Sequence, residues 1–251
     1  MITGLDRIIL AARDPGSAST AYAALLGQPA QGGRFQLANT GLQIVCAGEA
    51  DEGLSALVFS VDDLTQSQAG LARRGLPSDT PDEAGLAWIQ TGTGVAMALV
   101  QGAPPSPAPV TTDQVSALDH VVIRTRNADR TVALYGARLG LDFKLDRSNP
   151  QWGARLLFFR CGQSVIEISA PLAGDDSATP DRLDGLAWRV ADPIKAQARL
   201  AGAGFDVSLV RKGRKPGTAV FTLRSGVVGA PSLLIGPATP DSENHKTSQD
   251  A

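Results

Sequence analysis

The sequence has few of the residues on which reactive sites and membrane segments usually depend. It contains two cysteines and two histidines among 251 residues, and 5% of its residues are aromatic. Cys46 and Cys161 are far apart, which gives no disulfide framework and fits a reducing compartment. No apolar run is long enough to cross a membrane, and the first ten residues lack the apolar core of a signal peptide. We therefore expect a cytoplasmic protein.

The charge of the chain is nearly balanced, with a formal net charge of −2 at pH 7. Nothing global therefore favours nucleic acid or an anionic membrane as a partner. A chain of 251 residues, 43% of them hydrophobic, has a length that suits one large domain or two of ordinary size, each with its own core. A small-molecule partner follows by elimination, and a homodimer is left open.

Proline-rich and polar stretches divide the chain. Residues 103–117 (APPSPAPVTTDQVSA) carry four prolines and few large apolar side chains, as a semi-extended tether does. The end of the chain from residue 240 is polar throughout. We predict an N-terminal domain at 1–102, a linker at 103–116, a C-terminal domain at 117–238 and a disordered tail at 239–251. His245 lies in that tail, which leaves His120 as the histidine of the folded body.

Four segments of the chain repeat one pattern. Each opens with a strand-like run that ends in Asp14, Asp63, Asn127 or Asp192. Such a residue accepts hydrogen bonds from the free N–H groups that begin a helix, which predicts helices at 17–26, 64–74, 128–139 and 193–203. Each helix is predicted to end at a glycine, namely Gly27, Gly75, Gly140 or Gly204. Further strand-like runs follow each glycine.

The spacing within the repeats groups them in pairs. Equivalent positions of the four first strands are Arg7, Ala56, His120 and Gly185. From these to the glycine that ends the helix there are 20 residues in modules one and three, and 19 in modules two and four. Tyr22 and Tyr135 both lie 15 residues after that position. Two duplicated pairs of modules, separated by the proline-rich linker, explain this alternation.

The pattern resembles the vicinal oxygen chelate superfamily, which includes glyoxalases, bleomycin-resistance proteins and extradiol dioxygenases. The resemblance rests on a histidine after Leu-Asp in LDHVVI, a helix ending in Y-x-x-x-L-G, and the strands that follow. It covers residues 4–102 and 117–237. It implies an α+β fold of four βαβββ modules, paired into two domains whose mixed sheets form cups with the site inside.

In this superfamily a metal is held by a His or Gln of the first strand and a Glu of the fourth strand of each paired module. Carried over to this chain, module three keeps both positions as His120 and Glu167, in SVIEIS. Module four has Gly185 and, as we assign it, Leu234. Modules one and two offer Arg7 and Ala56, with apolar residues or Cys46 at the second position. The resemblance therefore implies at most one divalent ion (Zn, Ni, Fe or Mn), bound by His120 and Glu167.

Strand alternation predicts the surroundings of these two residues. Val122 and Arg124 of module three should face the cup, as should Gly185, Ala187 and Arg189 of module four. The N-terminal cup would hold Arg7, Ile9, Val58 and Ser60, a set that is poorly suited to catalysis.

Several residues are candidates for contacts with a substrate. Arg124 and Arg189 either bind an anionic group or are solvated at the rim. Trp152 either covers the cup or packs as an ordinary apolar residue. The basic run at 211–215 is interpreted first as a solvated turn and second as a site that attracts an anionic ligand. Both cysteines are expected to be buried as small apolar residues.

The pair His120 and Glu167 has three interpretations. The two residues bind a metal, or they form a hydrogen-bonded acid–base pair. In the third interpretation, Glu167 simply forms a salt bridge with Arg124 or Arg189.

Our preferred function is a glyoxalase-like lyase or isomerase acting on an anionic or oxygen-rich small molecule. His120 and Glu167 would be its catalytic residues, and Arg124, Arg189 and Trp152 would bind the substrate. The alternative is a non-catalytic binding protein of the bleomycin-resistance kind, or an accessory subunit. An extradiol dioxygenase ranks last, because it requires a second histidine at Gly185 and a glutamate near Leu234. Whether the protein is an enzyme is left open.

Overall fold

The computed structural model describes residues 1–103, 111–174, 179–229 and 231–238. Two mixed sheets, of six and nine strands, form the frame of the protein. The predicted tail at 239–251 and residues 104–110 of the predicted linker lie outside the described residues, so the domain boundaries stay predictions. Within the described ranges, every helix is too short or too polar to span a bilayer.

The first sheet is built by modules one and two. Its elements are β1 (Ile2–Ala12), α1 (Pro15–Leu26), β2 (Arg34–Gln36), β3 (Gly41–Cys46), β4 (Gly53–Val61), α2 (Leu64–Arg73), β5 (Ala87–Ile89) and β6 (Ala96–Gln101). The strand order is β2-β3-β1-β4-β6-β5. The first strands of the two modules, β1 and β4, therefore pair antiparallel at the centre, and each is parallel to the last strand of its own module.

The second sheet is built by modules three and four. Module three comprises β7 (Val115–Arg124), α3 (Ala128–Thr131) continued by a π-helix (Val132–Arg138), β8 (Asp142–Asn149), a 3₁₀ turn (Pro150–Trp152), β9 (Ala154–Cys161) and β10 (Ser164–Pro171). Module four comprises β11 (Arg182–Val190), α4 (Pro193–Gly202), β12 (Asp206–Val207), β13 (Arg211–Lys212), β14 (Thr218–Ser225) and β15 (Ser232–Pro237). The order is β12-β14-β15-β11-β7-β10-β9-β8, with β13 beside β14. The predicted α+β fold of paired modules is confirmed.

The predicted helix signals are confirmed in all four modules. Each of the four capping side chains accepts a hydrogen bond from a backbone N–H of the first turn, as Asp14 Oδ1 does from the Ser17 N–H at 2.9 Å. The four glycines have φ between 74° and 88°, the left-handed conformation that glycine adopts without strain. The third helix differs from the prediction, because its second half widens into π-helical turns.

The N-terminal modules are reduced versions of the C-terminal ones. Their second strands shrink to single bridges, between Gln31 and Arg34 and between Ser78 and Ile89. The chain before β5 contains Pro77 and Pro81, and proline has no N–H to donate to a strand ladder. The C-terminal sheet is consequently the larger one.

The two halves share one apolar core and are joined by hydrogen bonds between side chains and backbone. Tyr22 of α1 is fully buried, and its hydroxyl donates to the carbonyl oxygen of Val228 at 3.0 Å. Gly229 lies so close to the first sheet that a Cβ atom on it would be 2.5 Å from Leu10 Cδ1. The segment that precedes β15 is therefore held by the N-terminal half.

The two cysteines have different environments. Cys161 is buried, as expected. Cys46 is exposed as the last residue of β3, so the expectation that it is buried was wrong.

Candidate active site in the C-terminal cup

The pairing of the strands determines which residues share the concave face. Glu167 on β10 lies opposite Val122, two residues beyond His120. In module four, the residue two beyond Gly185 is Ala187, and it lies opposite Leu233 on β15. Leu233 therefore occupies the position equivalent to Glu167 and lines the cup, whereas Leu234 is fully buried in the core. The assignment of Leu234 was wrong by one residue.

The same comparison locates the equivalent positions in the N-terminal sheet. Gln43 lies opposite Ile9 in module one, and Ala98 lies opposite Val58 in module two. The expectation of an apolar residue holds for module two, whereas in module one neither an apolar residue nor Cys46 takes this position. The concave side of this sheet carries an apolar cluster of Ile9, Ala56, Val58, Leu86 and Ala98, with Trp88 packed against it.

A β-bulge recurs in the first strand of every module. The central pairings skip Asp6, Ser55, Asp119 and Asp184, each of which follows a leucine. In the larger sheet, Ala187 pairs with His120 and Trp188 pairs with Leu118, which leaves Asp119 as the extra residue. A bulge re-aims the side chain of its extra residue, so Asp119 and His120 both line the cup although they are neighbours in sequence.

Asp119 was missed in the sequence because simple alternation assigns it to the face opposite His120. A signal for it exists, since the dipeptide Leu-Asp precedes the equivalent position in modules one, three and four, as LDR, LDH and LDG. The repetition of an acidic residue at this point of a strand indicates a bulge.

The cup of the larger sheet encloses a cavity of about 760 Å³. This is within the size range of sites that bind small molecules. Much of its wall is apolar, with contributions from Val122, Leu156, Phe158, Ala187, Leu233 and Ile235. The polar groups are concentrated on β7, β10 and the segment around β13.

His120 lies between two carboxylates. Its Nδ1 atom is 2.9 Å from Asp119 Oδ1, and its Nε2 atom is 3.4 Å from Glu167 Oε2. The other oxygen of Asp119 accepts a hydrogen bond from Arg189 Nε at 2.9 Å. The structure thus forms a continuous row of side chains, from Arg189 through Asp119 and His120 to Glu167.

The two carboxylates have opposite protonation tendencies. Burial raises the pKa of Glu167, and the charges of His120 and Arg214 only partly offset this. Burial also acts to raise the pKa of Asp119, but the hydrogen bonds from His120 and Arg189 outweigh it and bring this pKa to about 2. Asp119 is therefore ionised at neutral pH and favours the proton on Nδ1, which leaves Nε2 to exchange a proton with Glu167 or a ligand.

The predicted arginines are engaged with aspartates. Arg124 lines the cavity and binds Asp184, with Nη2 2.8 Å from Oδ2. Arg189 binds Asp119, and it is not among the described residues that line the cavity. Among the described residues, Glu167 is therefore paired with His120 and not with either arginine, which removes the simple salt-bridge interpretation.

Trp152 and the basic run at 211–215 meet at the mouth of the cavity. Trp152 ends the 3₁₀ turn, is 40% exposed and lines the cavity. The guanidinium carbon of Arg214 lies 3.8 Å from the centroid of its ring. Arg211 and Lys215 also line the cavity. These residues are exposed, as the turn interpretation requires, and they also border the site.

The donor set of the cup does not fit a catalytic metal. His120 and Glu167 supply two donors, while the equivalent positions in module four are Gly185 and Leu233, which supply none. In the ranges that the structure describes, no three His, Cys, Asp or Glu side chains are grouped so that they could hold a metal ion. Catalytic sites usually provide three protein ligands.

The fold and the cup together define an α+β protein of paired βαβββ modules with a cavity of small-molecule size. Residues 119–221 match the protein-family model described as the Glyoxalase/Bleomycin resistance protein/Dioxygenase superfamily. This segment therefore belongs to that superfamily, and the resemblance drawn from the sequence is confirmed. Among curated proteins, no sequence matches the chain.

Solved structures with the same architecture include several enzymes. A mutant of 4-hydroxymandelate synthase from Streptomyces coelicolor is similar over 94% of this chain and 93% of its own, with 16% identity and a TM-score of 0.68. The Mn(II)-bound glyoxalase from Novosphingobium aromaticivorans is similar over 93% and 82%, with 13% identity and a TM-score of 0.67. A halotolerant catechol dioxygenase is similar over 96% and 90%, with 13% identity and a TM-score of 0.66. At these identities the likeness concerns the fold.

Proposed function

We propose that the protein is a glyoxalase-like lyase or isomerase, which transfers a proton on an anionic or oxygen-rich small molecule bound in the C-terminal cup. One observation carries this proposal: His120 Nε2 and Glu167 Oε2 lie 3.4 Å apart in the wall of the cavity. An imidazole nitrogen and a carboxyl group that face each other in the wall of a ligand cavity are the kinds of group that general acid–base catalysis uses.

The proposed roles follow from the environments of the two carboxylates. Glu167, whose pKa burial raises, is the group that holds and returns a proton. His120 accepts or donates a proton at Nε2. Asp119 stays ionised and stabilises the imidazolium form of His120, which makes it a positioning residue.

The remaining predicted site residues take supporting roles in this proposal. Arg124 and Trp152 contact the substrate from the wall of the cavity. Arg189 acts through Asp119, because its guanidinium group is hydrogen-bonded to that carboxylate. A cytoplasmic location and a homodimer stay predictions.

A binding protein without catalysis is the second candidate. It is favoured by Gly185 and Leu233, which place no acid, base or metal donor at the two module-four positions equivalent to His120 and Glu167. A divalent metal on His120 and Glu167 would have only two protein ligands. Elemental analysis of protein purified without a tag or chelator decides whether one is present. The dioxygenase ranks last, because it needs the missing donors.

The proposal is tested by following hydrogen exchange in D₂O by NMR. The full chain is incubated with a panel of aryl-substituted 2-hydroxy acids, 2-keto acids and acyl thioesters, and deuterium uptake at carbon is measured. We expect uptake with the wild type that is lost in His120→Gln and Glu167→Gln. Arg224→Gln is the control, since Arg224 is exposed and pairs with Asp206 outside the cavity wall. Compounds that bind in the cup without any exchange would establish the binding protein instead.

A further inference from the structure

Four cationic side chains surround the mouth of the cavity, and we call them the basic rim. They are Arg147 of β8, Arg211 of β13, and Arg214 and Lys215 of the loop that follows. Two different modules supply them, so only the folded sheet brings them together. Among the described residues, no carboxylate lies within the 4.0 Å of an ion pair from any of the four.

The acidic groups of the same cavity do not neutralise this rim. Asp119 is bound by Arg189 and His120, and Asp184 is bound by Arg124 and Arg182. Glu167 is the remaining carboxyl group of the wall, and its ion-pair partner is His120 and not a residue of the rim. The mouth of the cup therefore carries uncompensated positive charge, which attracts anions and holds them by charge-assisted hydrogen bonds.

Trp152 orients the central member of the rim. The ring lies 3.8 Å from the guanidinium carbon of Arg214 and 5.8 Å from that of Arg147. Stacking on an aromatic face leaves the edge of a guanidinium group free to donate hydrogen bonds. Arg214 also affects the electrostatics of Glu167, so its charge lies within reach of the acid–base pair.

We propose that the basic rim binds the carboxylate or phosphate of an amphipathic ligand whose apolar body lies against the wall of the cup. Arg214 is the central contact, and Arg211 and Lys215 support it. An apolar wall beneath a cationic mouth favours a molecule with an anionic group and an apolar body. A neutral ligand makes no charge-assisted contact with the rim, and a small hydrophilic anion buries none of the apolar wall. The inference rests on the proposed function only in that both concern the same cavity.

The test is isothermal titration calorimetry on the full chain at low salt, with three probes that share one ring system. These are 2-naphthoate, 2-naphthyl phosphate and the neutral 2-naphthalenemethanol. We expect the best anion to bind at least about tenfold more tightly than the alcohol, as a charge-assisted contact provides. The ranking of the two anions decides between carboxylate and phosphate. Added salt should weaken the binding of the anions and not that of the alcohol.

Variants locate the anion. Arg214→Gln and Arg211→Gln should each weaken anion binding by about five- to tenfold and leave alcohol binding unchanged. Arg224→Gln removes the same charge from an exposed site on β14 outside the cavity wall and should change neither. Equal binding of the anions and the alcohol, or an equal effect of Arg224→Gln, would overturn the inference.

The two proposals fail separately. Glu167→Gln should abolish deuterium exchange while anion binding persists. If the anions bind through the rim and no compound of the panel exchanges, the proposed catalysis is overturned and the rim stands. If compounds exchange but the rim variants bind the anions as the wild type does, the rim is overturned and the catalysis stands.

Discussion

The Nδ1 atom of His120 lies 2.9 Å from Oδ1 of Asp119, the residue that precedes it in the chain. Successive residues of a regular strand point to opposite faces. Here the bulge at Asp119 brings both side chains to the concave face, and Arg189 holds the second carboxylate oxygen. The orientation of the imidazole is thus determined by its own neighbour in sequence, with support from β11.

Replacing Asp119 by Asn should lower the rate of deuterium exchange by about 10- to 100-fold, as losses of orienting partners do. The ¹⁵N shifts of His120 should show that the proton moves from Nδ1 toward Nε2, which a purely structural defect would not cause. Asp6→Asn is the matched control, because Asp6 is the bulge residue of module one and binds Arg7 and Arg34 outside the cavity wall. An equal loss in both variants would contradict the assigned role.

The same aspartate should make stability depend on pH in acid. The pKa of Asp119, about 2, is below the ordinary value of an aspartate, so the contribution of this residue to stability is present above about pH 4 and is lost as the pH falls toward 2. Urea unfolding should find Asp119→Asn less stable than the wild type by about 1 kcal/mol near pH 7, since its partner Arg189 is partly solvated. This difference should shrink below about pH 4. A difference that is independent of pH would rule out the ion pair as its cause.

Glu167→Gln should have the opposite effect on stability. Burial raises the pKa of Glu167, so folding favours its protonated form, and the wild type loses stability as the pH rises through that raised pKa. Gln cannot ionise, and the stability of the variant relative to the wild type should therefore increase as the pH rises from about 5 to about 8. Thermal and urea unfolding measure this difference. A relative stability that does not increase over this range would mean that Glu167 is held as an anion by His120.

The two equivalent tyrosines should respond differently to loss of the hydroxyl. Tyr22→Phe removes a hydrogen bond to the Val228 carbonyl and should lower the free energy of unfolding by about 1 kcal/mol. Tyr135 is equally buried, but its hydroxyl has no hydrogen-bond partner among the described residues. Tyr135→Phe should therefore be close to neutral. Equal losses, measured by urea unfolding, would show that Tyr135 is satisfied by a bound water.

The register of β11 and β15 predicts how the missing donors could be restored. Gly185→His with Leu233→Glu should raise the affinity for Mn²⁺ or Ni²⁺ at least about tenfold by completing a four-donor set. A Cβ atom at Gly185 would be 3.2 Å from the Pro231 carbonyl oxygen, so a small shift of that loop is required. Competition with a chromophoric chelator measures the gain. The control is a second double variant, Gly185→His with Leu234→Glu. It should be destabilised without any gain in metal affinity, because Leu234 is fully buried in the core.

Local signals made the modules predictable from the sequence. Caps such as Asp14 and left-handed glycines such as Gly27 act within a few residues of chain, and their repetition at fixed spacing defines the pairing. His120 and Glu167 were found because both lie on β-strands of one module, at positions that the resemblance specifies.

The remaining features depend on contacts between distant segments. Leu234 was assigned in place of Leu233 because the register of a strand is set by its partner strand. A shift of one residue moves a side chain to the other face of the sheet. The bulge at Asp119 likewise exists only where β7 pairs with β11. Anion attraction by the basic run at 211–215 was the second interpretation of the sequence, but the contribution of Arg147 was overlooked because Arg147 and Arg214 are 67 positions apart and meet at Trp152.

The buried hydroxyl of Tyr22 connects the N-terminal half to the wall of the C-terminal cavity. The carbonyl of Val228 that it holds belongs to the segment leading into β15, and Leu233 and Ile235 of β15 form part of the cavity wall. The N-terminal half, whose own concave side is filled with apolar residues, thereby supports a strand of the C-terminal cup. A substitution that weakens this contact between the two halves should make the cavity wall less rigid, although it changes no residue that contacts the ligand.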